Sequence, residues 1–353
     1  MRARLDLYLR LCLCLYLSPG LDGAATRPIL ALVFRAITVT SILATGLAYG
    51  LFDYSPIGFT FMKIGVGARP VAMGGAYTAV ADDANALFWN PAGLALNSTP
   101  GGSVTIMKLL QSVSYASAGV AVPVGRRFAA GCAGAYLSTS DTRRNELGQE
   151  IGTFGLSDLA VGPGIAVQAL PGLGFGLGAR YVAGQIDSFR AAAVSFDGGA
   201  IYRPSGYITF GASLLHVGTP RRFIADLEYP PANLRVGAAG TIPFAQNRLL
   251  LTSDVSVYPD LTPVVSVGAE LCLRLTGTTA GQSLYARGGY QSGSHLGTWS
   301  GFSFGIGYEY ALSRNLFLGL DVVYLSYGLL GDSERASLGL RYSPEKGSGP
   351  KKR

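Results

Sequence analysis

The chain has 353 residues, of which 49% are hydrophobic, 14% are charged and 49 are glycine. Soluble domains carry about 25% charged residues and about 7% glycine, so this chain is poor in charge and rich in glycine. A chain this apolar does not match an intrinsically disordered protein. Beyond the N-terminal region it also lacks an apolar, charge-free run of the roughly 20 residues that a membrane-spanning helix needs.

The formal net charge of +7 lies mostly outside the body of the chain. Residues 1–48 contain five basic and two acidic residues, and the basic tail at 344–353 contains four basic residues and one acidic residue. The body between them holds 19 basic and 18 acidic residues. A nucleic-acid-binding domain would carry a basic patch or stripe, so we expect no nucleic acid partner. We expect the tail to be disordered.

The N-terminal 48 residues are typical of a targeting region. Arg35 precedes an apolar run of about 12 residues that ends in small residues before Ala48, as in a secretory signal. We therefore predict cleavage near residue 48. A second leucine-rich segment lies upstream at 5–17, which suggests that the assigned start is too early and that translation begins near Val33. A single membrane anchor is the weaker alternative.

Side chains in the body alternate with a period of two. Large apolar residues at even positions between 302 and 310 alternate with Ser, Gly and Glu, and similar patterns occupy 173–181, 265–274 and 336–342. Successive side chains of a strand point to opposite faces. This pattern predicts 14 strands, at 102–110, 113–124, 127–138, 158–170, 173–186, 191–203, 206–217, 233–243, 247–258, 263–274, 282–291, 300–310, 315–327 and 334–343.

Strand length and spacing favour a transmembrane antiparallel β-barrel over residues 101–343. Most predicted strands have 9–13 residues, and about 9–11 are needed to cross a bilayer. Tight turns such as 171–172 alternate with predicted loops at 140–157, 218–232 and 292–299, as in outer-membrane barrels. A soluble β-sandwich is the alternative. The expected environment is outer-membrane lipid, and the expected location is the outer membrane.

The small and polar face of the strands carries the charges. A lipid-facing Arg or Lys at mid-bilayer costs about 2–4 kcal/mol, so these side chains are predicted to point into the lumen. The predicted lumen charges are Arg180, Asp197, Arg203, Arg235, Asp254, Glu270, Arg274, Arg287, Glu309, Asp321 and Arg341.

Residues 49–100 do not alternate and are predicted to be a plug segment inside the barrel. A short helix is predicted over 76–87 within this segment. Its end is set by Asn90-Pro91, because the residue before a proline avoids helical geometry.

The same segment resembles the N-terminal signature of the PorV/PorQ family of outer-membrane proteins. The similar pieces are GVGAR at 65–69, MGGA at 73–76, AVADD at 79–83 and WNPAGL at 89–94. The last piece is also similar to the Asn-Pro-Ala element of FadL-type fatty-acid transporters, which are related barrels. The resemblance covers about residues 60–343 and implies a 14-stranded barrel whose N-terminal segment folds inward.

The signature residues suggest how the plug is held. Asp82 and Asp83 are expected to pair with inward arginines such as Arg287 or Arg341, and Arg69 with inward carboxylates. Direct ligand contact is the alternative role. The residues assigned to this signature are Arg69, Gly74, Gly75, Asp82, Asp83, Asn90 and Pro91.

Enzyme chemistry is not expected. The chain has two histidines and no GxSxG nucleophile motif, and glycines 172, 174, 176 and 178 follow the strand period rather than a dinucleotide-binding spacing. No Cys/His cluster forms a zinc site. Two adjacent aspartates offer too few oxygen ligands for calcium. We therefore expect neither cofactor nor metal.

Three functions remain. The resemblance implies an accessory role in protein secretion of the type IX kind, with secretion-system proteins as partners. The alternative is FadL-like transport of a hydrophobic ligand through a plugged barrel, for which Gly162, Pro163 and Gly164 are the candidate lateral kink. The third is a structural barrel. An apolar pocket bordering residues 67–96 would favour transport, and a wide lumen under an ordered surface loop would favour secretion.

Overall fold

The computed structural model describes residues 56–97, 99–109, 113–223, 226–275, 282–293, 297 and 299–343. The predicted targeting region at 1–48 and the predicted tail at 344–353 lie outside the described residues.

Fourteen of the described strands form one closed antiparallel barrel. Strands that follow one another along the barrel pair with each other, including the strand at Ile208–Gly218 with the strand at Asn233–Phe244. The first strand, Gly101–Lys108, closes the barrel against the last strand, Asp332–Tyr342. This arrangement confirms the predicted fold class and excludes the sandwich. The barrel strands are β1 (Gly101–Lys108), β2 (Ser114–Val124), β3 (Phe128–Arg144), β4 (Glu150–Leu170), β5 (Leu173–Ile186), β6 (Phe189–Tyr202), β7 (Ile208–Gly218), β10 (Asn233–Phe244), β11 (Asn247–Val257), β12 (Val264–Leu275), β13 (Gln282–Gln291), β14 (Phe302–Ala311), β15 (Leu316–Ser326) and β16 (Asp332–Tyr342).

The outer face of the barrel is apolar, as the alternation predicts. In β14, Phe304 and Ile306 are 55% and 66% exposed. The side chain of Ser303 in the same strand points inward to the plug and is fully buried. Closed barrels with such an outer face satisfy every backbone polar group inside lipid. The chain is therefore a multi-pass outer-membrane β-barrel. Among the described residues, no helix is long and apolar enough to cross a bilayer.

Two predicted loops contain strands. The region 140–157 is a hairpin in which β3 and β4 continue to a turn at 145–149, and Arg144 pairs with Glu150 across it at 2.9 Å. Both faces of this hairpin are solvated, so it lacks the alternation that marks the membrane strands. The region 218–232 contains a small antiparallel pair, β8 (Arg221–Phe223) and β9 (Asp226–Glu228).

The plug segment, defined here as residues 56–100, contains short helices separated by turns. The helix predicted over 76–87 is wrong: residues 78–80 form a turn, and the α-helices are α1 (Ala68–Ala72) and α2 (Ala86–Trp89). The predicted end is correct, because Asn90 is extended before Pro91. Single helical turns also occur at Thr60–Lys63 and Pro91–Leu96 in the plug, and at Gly328–Leu330 in the loop before β16.

The plug segment crosses the lumen from one end of the barrel to the other. Residue 57 forms a parallel bridge with Tyr229 beside the β8–β9 hairpin, at the end of the barrel with the longer loops. The plug then leads into β1 at Gly101, at the end with the short turns. Longer loops are typical of the outer surface and short turns of the periplasmic side. The barrel ends are called the loop end and the turn end below.

Candidate functional site: the plug and the cavities on its two sides

Glu270 is the centre of the ionic network that joins the plug to the wall. Its carboxylate is fully buried on β12 and contacts three guanidinium groups. Arg69 of α1 donates through Nε at 2.7 Å, Arg287 of β13 through Nε at 2.7 Å, and Arg248 of β11 through Nη2 at 3.1 Å. One buried carboxylate therefore joins α1 of the plug to three strands of the wall. Arg248 was missed from sequence because it lies at the start of its strand.

The two aspartates of the signature pair within the plug rather than with the wall. Arg69 Nη1 lies 2.5 Å from Asp82 Oδ1 and 3.8 Å from Asp83 Oδ2. The expected pairing with Arg287 or Arg341 is wrong, because Arg69 reaches both aspartates and Glu270 from one position. The backbone N–H of Asn85 also donates to Asp83 at 2.8 Å. Arg69 thus links the plug carboxylates to the wall.

The carboxyl groups of Asp82 and Asp83 respond differently to this setting. Burial raises the pKa of Asp83. Burial acts in the same direction on Asp82, but the positive charge of Arg69 outweighs it and the pKa of Asp82 falls below its usual value. On acidification, Asp83 therefore takes up a proton first, and the ion pair between Arg69 and Asp82 persists to lower pH.

Reversing both charges, Asp82→Lys with Asp83→Lys, is expected to loosen the plug, because Arg69 then faces two like charges. Dye entry into cells should rise moderately, since Glu270 still holds Arg69. Uptake of a small impermeant dye measures the effect, with Asp82→Asn plus Asp83→Asn as the matched neutral control. If a folded double variant admits no more dye than wild type, the two aspartates do not help to hold the plug.

Asn90 and Pro91 fix a turn of the plug against the wall. The Asn90 amide nitrogen donates to Thr78 O at 2.9 Å and to Ala200 O of β6 at 3.1 Å, and its Oδ1 accepts from Ala92 N at 3.1 Å. Pro91 begins the helical turn that follows. On the wall, a Cβ at Gly176 would lie 2.3 Å from the Pro91 carbonyl carbon. Asn90 therefore caps the turn and joins it to the barrel.

Gly74 and Gly75 allow the plug to turn close to β13. Both have positive φ, at 63° and 76°, and a Cβ at Gly74 would lie 2.6 Å from Tyr290 N. Side chains rarely adopt this backbone conformation. The Gly74 N–H donates to Ser303 Oγ at 3.1 Å. Glycine is therefore favoured at both positions by the positive φ, and at Gly74 the wall also leaves no room for a Cβ.

Asp254 and Arg235 form a second attachment of the plug. Asp254 Oδ2 accepts the N–H groups of Tyr77 and Thr78 at 3.0 and 2.9 Å. Arg235 lies 3.2 Å from the same oxygen and donates to Gly75 O at 2.6 Å. Both are predicted lumen charges, and their contacts to the plug backbone could not be read from sequence. The plug is thus tied to β10 and β11 through its main chain.

Arg180 and Asp197 meet at an irregularity in the wall. The guanidinium lies 3.0 Å from Asp197 Oδ2, donates to His216 Nε2 at 2.9 Å and also donates to Leu87 O of the plug. His216 has a φ of 60°, and the pairing of β6 with β7 shifts register opposite it. The contact between His216 and Arg180 could not be read from the sequence, because it depends on this local shift in register.

The other predicted lumen charges lie toward the turn end. Arg287, which contacts Glu270, also pairs with Asp321 at 2.5 Å, and Arg341 pairs with Glu309 at 2.8 Å. Arg203 follows β6 in a turn and donates to Thr209 Oγ1 at 3.3 Å. Arg203 and Arg274 are both exposed, so neither takes part in holding the plug.

The plug separates two cavities. The upper cavity, at the loop end, has a volume of 260 Å³. The lower cavity, at the turn end, has a volume of 720 Å³ and is lined by charged and polar groups that include Arg69, Asp82, Asp83, Arg287 and Arg341. The upper cavity is lined mainly by apolar and aromatic side chains, among them Phe61, Met62, Ile64, Val66, Val71, Phe88, Trp89, Ala135, Ala160, Leu215 and Leu325.

The candidate lateral kink coincides with a gap in strand pairing. The ladder between β4 and β5 pairs Val161 with Tyr181 and resumes at Gly164 with Gly178, so Gly162 and Pro163 are unpaired on this side. Proline has no N–H to donate, and a Cβ at Gly162 would lie 1.8 Å from Ala179 O. Ala160, just before this gap, lines the upper cavity.

No family model and no curated protein matches this sequence. Solved structures match over most of the chain. The CymD monoaromatic hydrocarbon channel has a TM-score of 0.57 at 13% identity, over 79% of this chain and 98% of that chain. The P. putida toluene transporter TodX has a TM-score of 0.55 at 12% identity, over 79% and 99%.

The Ralstonia pickettii toluene transporter TbuX is similar to the same extent, with a TM-score of 0.53 at 13% identity over 79% of this chain and 97% of that chain. At these identities the likeness shows a shared fold. The chain therefore has the fold of the solved hydrocarbon transporter barrels.

Proposed function

We propose that this protein is a FadL-like transporter that carries small hydrophobic molecules across the outer membrane. The observation that carries the proposal is the upper cavity. It is lined mainly by apolar and aromatic side chains, it lies inside the barrel, and Val71, Gly74, Gly75, Phe88 and Trp89 of the plug form part of its wall. A pocket in this position is the feature that separates transport from secretion. The likeness to hydrocarbon channels supports the same class of cargo.

The two cavities give the route a direction. Hydrophobic molecules enter the upper cavity at the loop end because its side chains replace water around them. Below the plug, the lower cavity is polar and opens toward the turn end. A ligand would therefore leave the upper cavity beside the plug. The proposed sideways exit is at Gly162 and Pro163, next to Ala160, where the wall would have to open because the strands are in close contact.

The accessory role in type IX secretion stays a prediction from the resemblance to the PorV/PorQ family. Native purification from outer membranes, followed by mass spectrometry of bound molecules, separates the two functions. Bound apolar small molecules would support transport. Bound secretion-system proteins with an empty cavity would support secretion and contradict the proposal.

Filling the upper cavity is expected to abolish most transport. Ala160 is buried, and Ala160→Phe would place a ring in the space that the ligand occupies. Uptake of labelled toluene by cells that produce this variant should fall close to that of cells without the protein. The matched control is Ala116→Phe, whose side chain lies on the exposed outer face of β2. Equal uptake by wild type and Ala160→Phe would exclude this cavity from the route.

A further inference from the structure

The upper cavity is bordered by four cations, and one of them lacks a counter-charge. Three form ion pairs: Lys63 with Asp260 at 2.5 Å, Arg180 with Asp197 at 3.0 Å and Arg235 with Asp254 at 3.2 Å. The fourth is Arg335 of β16. Within the described part of the chain, no carboxylate lies within 4.0 Å of Arg335. Among the described residues, the positive charge of Arg335 is therefore uncompensated.

Arg335 is also incompletely hydrogen-bonded. It is 2% exposed. One terminal nitrogen donates to Gly65 O, and the other donates to Tyr327 OH at 3.2 Å. Its Nε has no partner in the described structure. A buried, unpaired charge costs several kcal/mol, and a buried donor without an acceptor adds to that cost. An anion beside Arg335 would remove both penalties.

The size and the aromatic lining of the rest of the cavity are suited to a small aromatic ring. Phe88, Trp89 and Tyr115 line it together with Tyr258 and Tyr327. Its volume of 260 Å³ is below the roughly 300–1,000 Å³ of pockets for drug-sized ligands. Aromatic side chains favour aromatic ligands through offset and edge-to-face contacts. A small anion that carries an aromatic ring would therefore fit this lining.

We propose that the upper cavity binds a small aromatic carboxylate, with its ring among the aromatic side chains and its carboxylate paired with Arg335. The unpartnered Nε–H would donate to one carboxylate oxygen, and the adjacent terminal nitrogen, which carries two N–H groups and donates one to Tyr327, would donate the other to the second oxygen. This inference rests on the proposed transport function and narrows its ligand class from hydrophobic molecules in general to aromatic monoanions.

Calorimetric titration of the purified full chain with benzoate and with toluene tests the proposal. Benzoate is expected to bind more tightly than toluene. Arg335→Gln should weaken benzoate binding about tenfold or more, because the charged hydrogen bonds are lost, and should weaken toluene binding much less. Arg335→Lys keeps the charge, so its affinity for benzoate should lie between those of wild type and Arg335→Gln. The matched control is Arg190→Gln, an exposed arginine of β6 away from the cavity.

The outcomes separate this inference from the function on which it rests. Toluene binding without benzoate binding would overturn the aromatic carboxylate and leave the transport proposal standing. Equal benzoate affinity in wild type and Arg335→Gln would overturn the role of Arg335. Failure of wild type to bind either compound would overturn both proposals. Compact migration of each variant on unheated gels shows that it is folded. If Arg335→Gln does not fold, the benzoate affinity of Arg335→Lys provides the second test.

Discussion

Glu270→Gln is expected to detach Arg69 of the plug from the wall, and so to loosen the plug, and to destabilise the folded protein by about 3–5 kcal/mol. The neutral amide leaves Arg69, Arg248 and Arg287 without the carboxylate that all three contact. Arg69 and Arg287 keep Asp82 and Asp321 as partners, so the barrel itself should still form. The midpoint of urea unfolding measures the loss of stability, and sensitivity of cells to large antibiotics measures the leak.

Glu309→Gln is the matched control for this substitution. Glu309 also faces the lumen and pairs with an arginine, but its partner Arg341 is 42% exposed. Exposed ion pairs contribute about 0–1 kcal/mol, so this variant should behave almost like wild type. A double-mutant cycle between Glu270→Gln and Arg69→Gln then isolates the link between plug and wall. If Glu270→Gln changes the urea midpoint and the antibiotic sensitivity as little as Glu309→Gln does, Glu270 does not make the main contact between plug and wall.

Phe304→Arg is expected to impair insertion of the barrel. Phe304 is the third residue of β14, on the outer face of the barrel, and is 55% exposed. An arginine there meets lipid and costs about 2–4 kcal/mol near mid-bilayer, a large part of the stability of a typical domain. The fraction of protein that resists protease in reconstituted vesicles should fall well below wild type.

Two further variants define what the Phe304→Arg result means. Phe304→Leu keeps the position apolar and should insert normally. Ser303→Ala changes the neighbouring side chain, which faces the plug, and should affect the plug without reducing insertion. Normal insertion of Phe304→Arg would place residue 304 outside the hydrocarbon layer.

The barrel could be predicted from sequence because each membrane strand carries its own signal. Alternation between Phe304 or Ile306 and the small residues beside them is local, and the bilayer imposes it on every strand. The same reasoning explains where prediction failed. The ends of β3 and β4 at Arg144 and Glu150 extend beyond the bilayer, so alternation stops although the strands continue.

The plug was harder to predict because its structure depends on distant partners. The apolar run at 76–87 suggests a helix, but Tyr77 and Thr78 donate their N–H groups to Asp254, which lies more than 170 residues away. The Asn90-Pro91 stop was correct because it depends on local geometry alone. Arg335 was overlooked because nothing in its neighbourhood along the chain marks it as the cation without a counter-charge.

The path of the plug through the lumen constrains how this protein can assemble. Gly58 donates its N–H to Tyr229 O at one rim, while the chain enters β1 at the other rim and β1 forms the seam with β16. Threading residues 56–100 through a finished barrel would require pulling the chain end through a filled lumen. We therefore expect the plug to pack against the open sheet before the first and last strands pair.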